Sequence, residues 1–175
     1  MSYLSAYGVY KRYKELPSIK KKNTINLSLK EKVIIGYDAK RIFHNTTGLG
    51  NYGRDLIRIL SSRNRFLLFY LYNPKPKKVT SLNIEKNIFE KLPEKQIWKK
   101  LPSLWRQGPI LKQIKSDNVR LFHGLTGELP RGIHKTKVKS IVTVHDLIFE
   151  RHPELYSTID RKIYFEKVKY ATSVA

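Results

Sequence analysis

Apolar and polar positions follow two rhythms along this chain. Short runs rich in β-branched and aromatic residues occur at 33–38 (VIIGYD), 65–72 (RFLLFYLY), 119–124 (VRLFHG) and 138–144 (VKSIVTV), with a weaker one at 87–92. Such runs suit strands, and the unbroken Ile141-Val142-Thr143-Val144 suits one buried on both faces of a parallel sheet. Between them the spacing turns helical. Residues 48–60 (GLGNYGRDLIRIL) put Leu56, Ile57 and Leu60 on one face. Pro109 opens a helix carrying Ile110, Leu111 and Ile114. Residues 155–175 form a closing helix with Ile159, Ile163, Tyr164, Val168 and Ala171 turned inward. Residues 39–47 (AKRIFHNTT) read as a surface loop, and NPKPKK after the second strand as a break. Strands alternating with helices predict an α/β class: a Rossmann-like parallel sheet flanked by helices.

The chain is organised around residues 138–150 (VKSIVTVHDLIFE). His145 and Asp146 follow the strand directly, and ligands of open α/β sheets collect beyond the carboxyl ends of the strands. His123 ends the preceding strand, so both histidines are expected on one edge. His145 can donate a hydrogen bond to a sugar hydroxyl or to a developing phosphate charge. Asp146 either orients an acceptor or caps the next segment, and the sequence favours neither. His44, His134 and His152 read as loop histidines. No HxH or HxxxH pair occurs, so no metal site is expected.

Gly48-Leu49-Gly50-Asn51-Tyr52-Gly53 satisfies GxGxxG, but nine residues separate Asp38 from Gly48 and the second strand ends without an acid. A dinucleotide fingerprint needs the glycines at the strand end and an acid about 20 positions on. What remains is a glycine loop opening a helix, where backbone N–H groups can receive a phosphate. Glycines serving a tight turn alone are the competing reading.

Charge changes the picture of partners. Lys and Arg total 35 against 14 acids in 175 residues, a formal +21 that attracts polyanions. Cysteine is absent, which removes disulfides and thiolate metal sites. The longest apolar run is far too short to cross a bilayer, and a soluble protein is expected. Residues 1–31 read as a basic extension ahead of one domain over 32–175. In it Leu4, Tyr7 and Tyr10 share helical spacing among Lys11, Arg12 and Lys14. That suits either an anionic membrane surface or a leader without function.

The order IGYDAKRIFHNTTGLGNYGRDLIRIL, then LWRQGPILKQIKSDNVRLFHGLTGELP, then IVTVHDLIFERHPELY resembles the amino-terminal domain of retaining GT-B glycosyltransferases of family 4, especially mannosyltransferase-like members. The similarity covers 32–175 and implies one half of a GT-B architecture. It implies that the loop of Gly48, Leu49 and Gly50 approaches the diphosphate of a nucleotide-sugar donor and that His145 contacts the transferred sugar; by position at the strand end, Asp146 is expected to act beside it. It further implies that a glycan or lipid-linked acceptor enters at the mouth of this domain; His123 and Gly124, at their strand end, are expected at the substrate edge. No metal or other cofactor is implied. The expected setting is cytoplasmic, peripheral on the inner membrane face. One departure is Lys40 after Asp38-Ala39, where the family has Asp-Ala-Arg; a lysine does not reproduce an arginine fork. Another is length, since GT-B enzymes carry a second, carboxyl-terminal domain; the expectation is a truncated or split protein, inactive alone.

Two other function classes compete. One is a basic nucleic-acid-binding module whose Tyr70, Tyr72, Trp98 and Trp105 stack bases. Against it, no nucleic-acid motif appears and these aromatics fall mostly on expected core positions, so nucleic acid is not an expected partner. The other is a non-catalytic membrane-surface domain.

Overall fold

A computed structural model describes residues 32–175 apart from 77, 80, 81, 83 and 84. The extension at 1–31, with its basic helix, lies outside the described residues. Five strands form one sheet in the order β3-β2-β1-β4-β5: β1 Val33–Asp38, β2 Leu67–Tyr72, β3 Ile88–Lys91, β4 Leu121–Gly124 and β5 Lys139–Val142. Every pairing is parallel, with Ile35 opposite Phe69 on one side and Leu121 on the other. The α/β, Rossmann-like class predicted from the alternation is therefore the observed one. Because β1 feeds β2 to one side while β4 returns to the other, the direction of winding reverses between β1 and β4. That reversal opens a crevice at their carboxyl ends.

Side-chain alternation along the strands sends residues to two cores. On one face Tyr37, Phe69, Leu71 and Leu125 pack with Ile57. Ile57 comes from α2 (Gly48–Arg63), which follows the short α1 (Lys40–His44). Leu56 and Leu60 are half-buried beside it, as the periodicity predicts. Full burial of Ile57 contributes roughly 1.5–3 kcal/mol. On the other face Tyr72 and Phe122 pack with Trp105, Ile110 and Ile114. These helical residues come from α4 (Pro102–Gln107) and α5 (Ile110–Ser116), which follow α3 (Gln96–Lys100). Ala171 of the last helix, α7 (Thr158–Val174), joins the same core. Its start is fixed by Ser157, whose hydroxyl accepts the Asp160 amide at 3.1 Å.

Three expectations are corrected. Residues 40–44 are helical rather than loop, because Ile42 and Phe43 are fully buried in the first core and pull the backbone inward. β5 is an edge strand, not a central one. Ile141 is 45% exposed, since β5 has a partner strand on one side only and the last helix meets it on the Ser140 and Val142 side. An apolar run reports strand preference, not the strand's place in the order. The closing helix is inward only in its second half: Ala171 is buried, whereas Ile159 is 73% exposed and Ile163 and Tyr164 are also open. The chain between β5 and α7 instead makes a short helix α6 (Ile148–Arg151) and a 3-10 turn (Pro153–Leu155).

Candidate functional site

The carboxyl edge of the sheet holds a cavity of about 220 Å³. Its polar wall carries His145, Asp146, Thr126 and Glu128, and its cationic rim Arg41 and Lys167. Its aromatic wall is Phe149, Tyr156 and Tyr164, whose ring centroids lie 6.0 Å (Phe149–Tyr164) and 5.9 Å (Tyr156–Tyr164) apart. Mixed polar and aromatic lining of this kind suits a ligand carrying hydroxyls on an apolar frame.

His145 is held from two sides. Its Nε2 lies 2.9 Å from the Leu125 carbonyl, and the Tyr52 ring meets it edge-on at 4.9 Å. A carbonyl can only accept, so Nε2 carries the proton and the neutral ring keeps Nδ1 as its acceptor. Asp146 Oδ1 accepts the Ile148 amide at 3.2 Å, so the carboxylate caps α6 while lining the cavity. Of the two readings of Asp146, the hydrogen bond supports the cap.

The glycine loop is built by residues that sequence reasoning passed over. Asn45 Oδ1 accepts the amides of Thr47 and Gly50, each at 3.0 Å, and so satisfies part of the α2 start. Arg54 Nη1 binds the carbonyls of Ile42 at 2.7 Å and Asn45 at 2.8 Å, clamping the loop from inside. Gly50 is buried rather than at the surface, and a Cβ there would sit 2.0 Å from the Asn45 carbonyl oxygen. Gly48 is exposed with open space around it, and the Leu49 side of the loop lines the cavity. An Asn three residues before a glycine-opened helix is the signal for this cap.

His123 and Gly124 stand beside the cavity rather than in its lining. His123 Nε2 lies 2.8 Å from Thr143 Oγ1, and its ring stands 5.6 Å from that of Tyr37. Burial lowers its pKa below the usual histidine value, which favours the neutral ring. At Gly124 a Cβ would fall 2.0 Å from the Glu128 carbonyl oxygen, so this glycine lets the 124–128 turn close onto the strand end. The adjacent positions of β4 and β5 do bring both histidine-bearing strand ends to one edge.

Asp38, at the end of β1, is paired with Arg106 of α4. Arg106 Nε lies 3.2 Å from both carboxylate oxygens, and Nη2 contacts Oδ2 closely. The same Nη2 is 3.2 Å from Glu128, which also binds Lys167 at 3.2 Å. The guanidinium fork on Asp38 thus comes from a helix distant in sequence. Burial alone lowers the Arg106 pKa, but the charges of Asp38 and Glu128 outweigh it and the net shift is upward. Lys40 moves the other way, lowered by burial and then by the neighbouring Arg106.

The remaining histidines lie elsewhere: His44 Nε2 is 2.8 Å from Asn73 Oδ1, His152 faces Glu154, and His134 lies in an exposed 3-10 turn. Of the four aromatics considered for base stacking, Tyr72 and Trp105 are fully buried, and Tyr70 and Trp98 are half-buried against the second core. Among the described residues no three His, Cys, Asp or Glu gather as metal ligands, and no helix is long and apolar enough to cross a membrane. No family model, curated protein or solved structure matches this chain.

Proposed function

We propose that this chain is the acceptor-side half of a glycosyltransferase that moves a hexosyl group, with mannosyl the first candidate, from a nucleotide sugar to a glycan or lipid-linked acceptor. The observation that carries the reading is the cavity at the carboxyl edge of the sheet, where an anchored His145 faces a space walled by aromatics and capped carboxylates. Pyranose C–H faces suit Phe149, Tyr156 and Tyr164, while hydroxyls find Nδ1 of His145 and the free side of Asp146. The open amides at Gly48 and Leu49 begin a 16-residue helix, whose dipole favours a diphosphate beside the cavity.

In this reading a carboxyl-terminal domain, in cis or in trans, grips the nucleotide and steadies the departing diphosphate. Such positioning accounts for about 7–11 kcal/mol of a barrier, and one histidine with a glycine loop cannot replace it. In this reading the basic composition suits a cytoplasmic setting against an anionic inner membrane face. The test is transfer of radiolabelled sugar from a panel of nucleotide sugars to membrane extracts. Residues 1–175 are assayed alone and with a matching carboxyl-terminal domain supplied. Transfer is expected only with the second domain. Robust transfer by 1–175 alone removes the half-site, and no transfer from any donor in either form removes the glycosyltransferase.

A further inference from the structure

A second, smaller cavity of about 50 Å³ adjoins the first. Its wall carries Arg106, Arg131 and Lys167 against one acid, Glu128, with Gln107 and Tyr170 also lining it. Lys167 and Glu128 line both cavities, so their ion pair at 3.2 Å is a wall common to the two. A space of this size holds a few waters, and so a small anionic group in their place.

The pairing of each group sets the local charge. Asp38 takes Arg106 through Nε and Nη2, while the two oxygens of Glu128 take Arg106 and Lys167. With Asp38 counted behind the wall, three bases meet two acids. The surplus cation is Arg131, which pairs with no carboxylate among the described residues. Its guanidinium lies over the Tyr170 ring, 5.6 Å from the centroid, a contact that occupies none of its five N–H donors. The ring beneath is fixed, since the Tyr170 hydroxyl accepts the Gly132 amide at 2.7 Å and donates to the Pro130 carbonyl at 3.2 Å. The Arg131 amide in turn donates to the Gln107 carbonyl, so the residue is held at its backbone as well as its head.

Other donors remain. Lys167 gives one of three ammonium protons to Glu128, and Arg106 Nη1 makes no hydrogen bond among the described residues. A cavity whose acids are already paired and whose cations keep free donors attracts an anion. Guanidinium forks match carboxylate and phosphate oxygens in particular.

We infer that this chamber seats an anionic group, a carboxylate or a phosphate, borne by the saccharide whose ring occupies the His145 cavity. The inference rests on the acceptor reading above and narrows it to acidic sugars, with Arg131 as the residue that selects them.

The test is calorimetric binding of methyl glucoside, methyl glucuronide and glucose 6-phosphate to the full chain, with acetate and inorganic phosphate as sugar-free anions. Physiological ionic strength, where screening acts over ~8 Å, suppresses general attraction to the +21 chain. At least one acidic sugar is expected to bind about tenfold tighter than methyl glucoside, the effect of one charge-assisted contact. The comparison of uronide with phosphate decides which group the chamber takes. Arg131→Gln should abolish most of the preference. Lys139→Gln removes the same charge at the sheet edge and should keep it. Both positions are exposed, and circular dichroism checks the fold. No preference for acidic sugars, or one that survives Arg131→Gln, overturns the inference, while methyl glucoside binding leaves the acceptor reading standing. Equal loss in both variants assigns the preference to overall charge and also overturns it. Acetate or phosphate binding as tightly as the acidic sugars, and only with Arg131 present, keeps the anion seat and removes the saccharide alone. Absence of all binding overturns both.

Discussion

Arg106 forks onto Asp38 across 68 residues of sequence, with Nε 3.2 Å from each carboxylate oxygen. The pair is buried, with side chains 8% and 10% exposed, and it ties α4 to the carboxyl end of β1. Through Glu128 it also ties α4 to the turn after β4, so it spans the reversal point of the sheet. Removing one partner of a buried pair leaves the other charge desolvated, which costs about 3–5 kcal/mol. Arg106→Ala is expected to lose stability of that order in urea unfolding. Arg106→Lys should lose less, since it keeps the charge and forfeits the fork. Equal midpoints for Arg106→Ala and the parent would show that Asp38 needs no partner.

The glycine loop separates fold from ligand by position. At Gly50 a methyl group meets the Asn45 carbonyl oxygen, which Arg54 already holds, so the backbone cannot retreat cheaply. Gly50→Ala is expected to destabilise by about 1–3 kcal/mol. Gly48→Ala meets open space and should stay within about 0.5 kcal/mol of the parent. A diphosphate approaching the α2 start would instead feel Gly48→Ala, as weaker donor use in the two-domain assay. Denaturation curves for the two variants decide the first point, and an unstable Gly48→Ala with a stable Gly50→Ala would reverse it.

His123 gives stability a pH dependence. Burial lowers its folded pKa, so the unfolded chain binds the proton more readily. The contribution of the neutral ring is complete above the unfolded value of about 6.5 and drains as pH falls from there toward the lower folded value. The urea midpoint is expected to drop between pH 8 and pH 5. In His123→Gln, which keeps a hydrogen-bonding group beside Thr143, that part of the drop should disappear. A parent and variant with parallel pH profiles would remove His123 from the balance.

Much of this fold is legible in the sequence because local pattern and tertiary role agree there. Val33 to Asp38, Leu67 to Tyr72 and the Leu56-Ile57-Leu60 face each occupy the place their periodicity predicts. The exceptions share a cause. Ile42-Phe43 looks like loop until the sheet is present to bury it, and Ile141 looks central until the strand order is known. The place of His145 and Asp146 beyond a strand end, where they line the cavity, is readable because a strand end is a local feature. Asn45, Arg54 and Arg106 are not, since each acts on groups that only the folded chain brings near.

The last expectation concerns which nitrogen of His145 carries the proton. Nε2 lies 2.9 Å from the Leu125 carbonyl, so the neutral ring is fixed as the Nε2–H tautomer and Nδ1 carries the lone pair. An acceptor of that kind meets a sugar hydroxyl as a partner and pulls on its proton, as positioned bases do. Long-range proton–nitrogen NMR of the isolated chain is expected to show Nδ1 unprotonated and Nε2 protonated in the neutral ring. In the two-domain enzyme, His145→Ala should lower turnover by about 10²- to 10⁴-fold, the range for lost acid–base assistance. The same change removes one hydrogen bond to Leu125 and should cost only about 0.5–1.5 kcal/mol of stability. His134→Ala, in an exposed turn away from the cavity, should alter neither. The opposite tautomer, or an indifferent His145→Ala, would leave the histidine as a brace for the 124–127 turn and take the chemistry away from it.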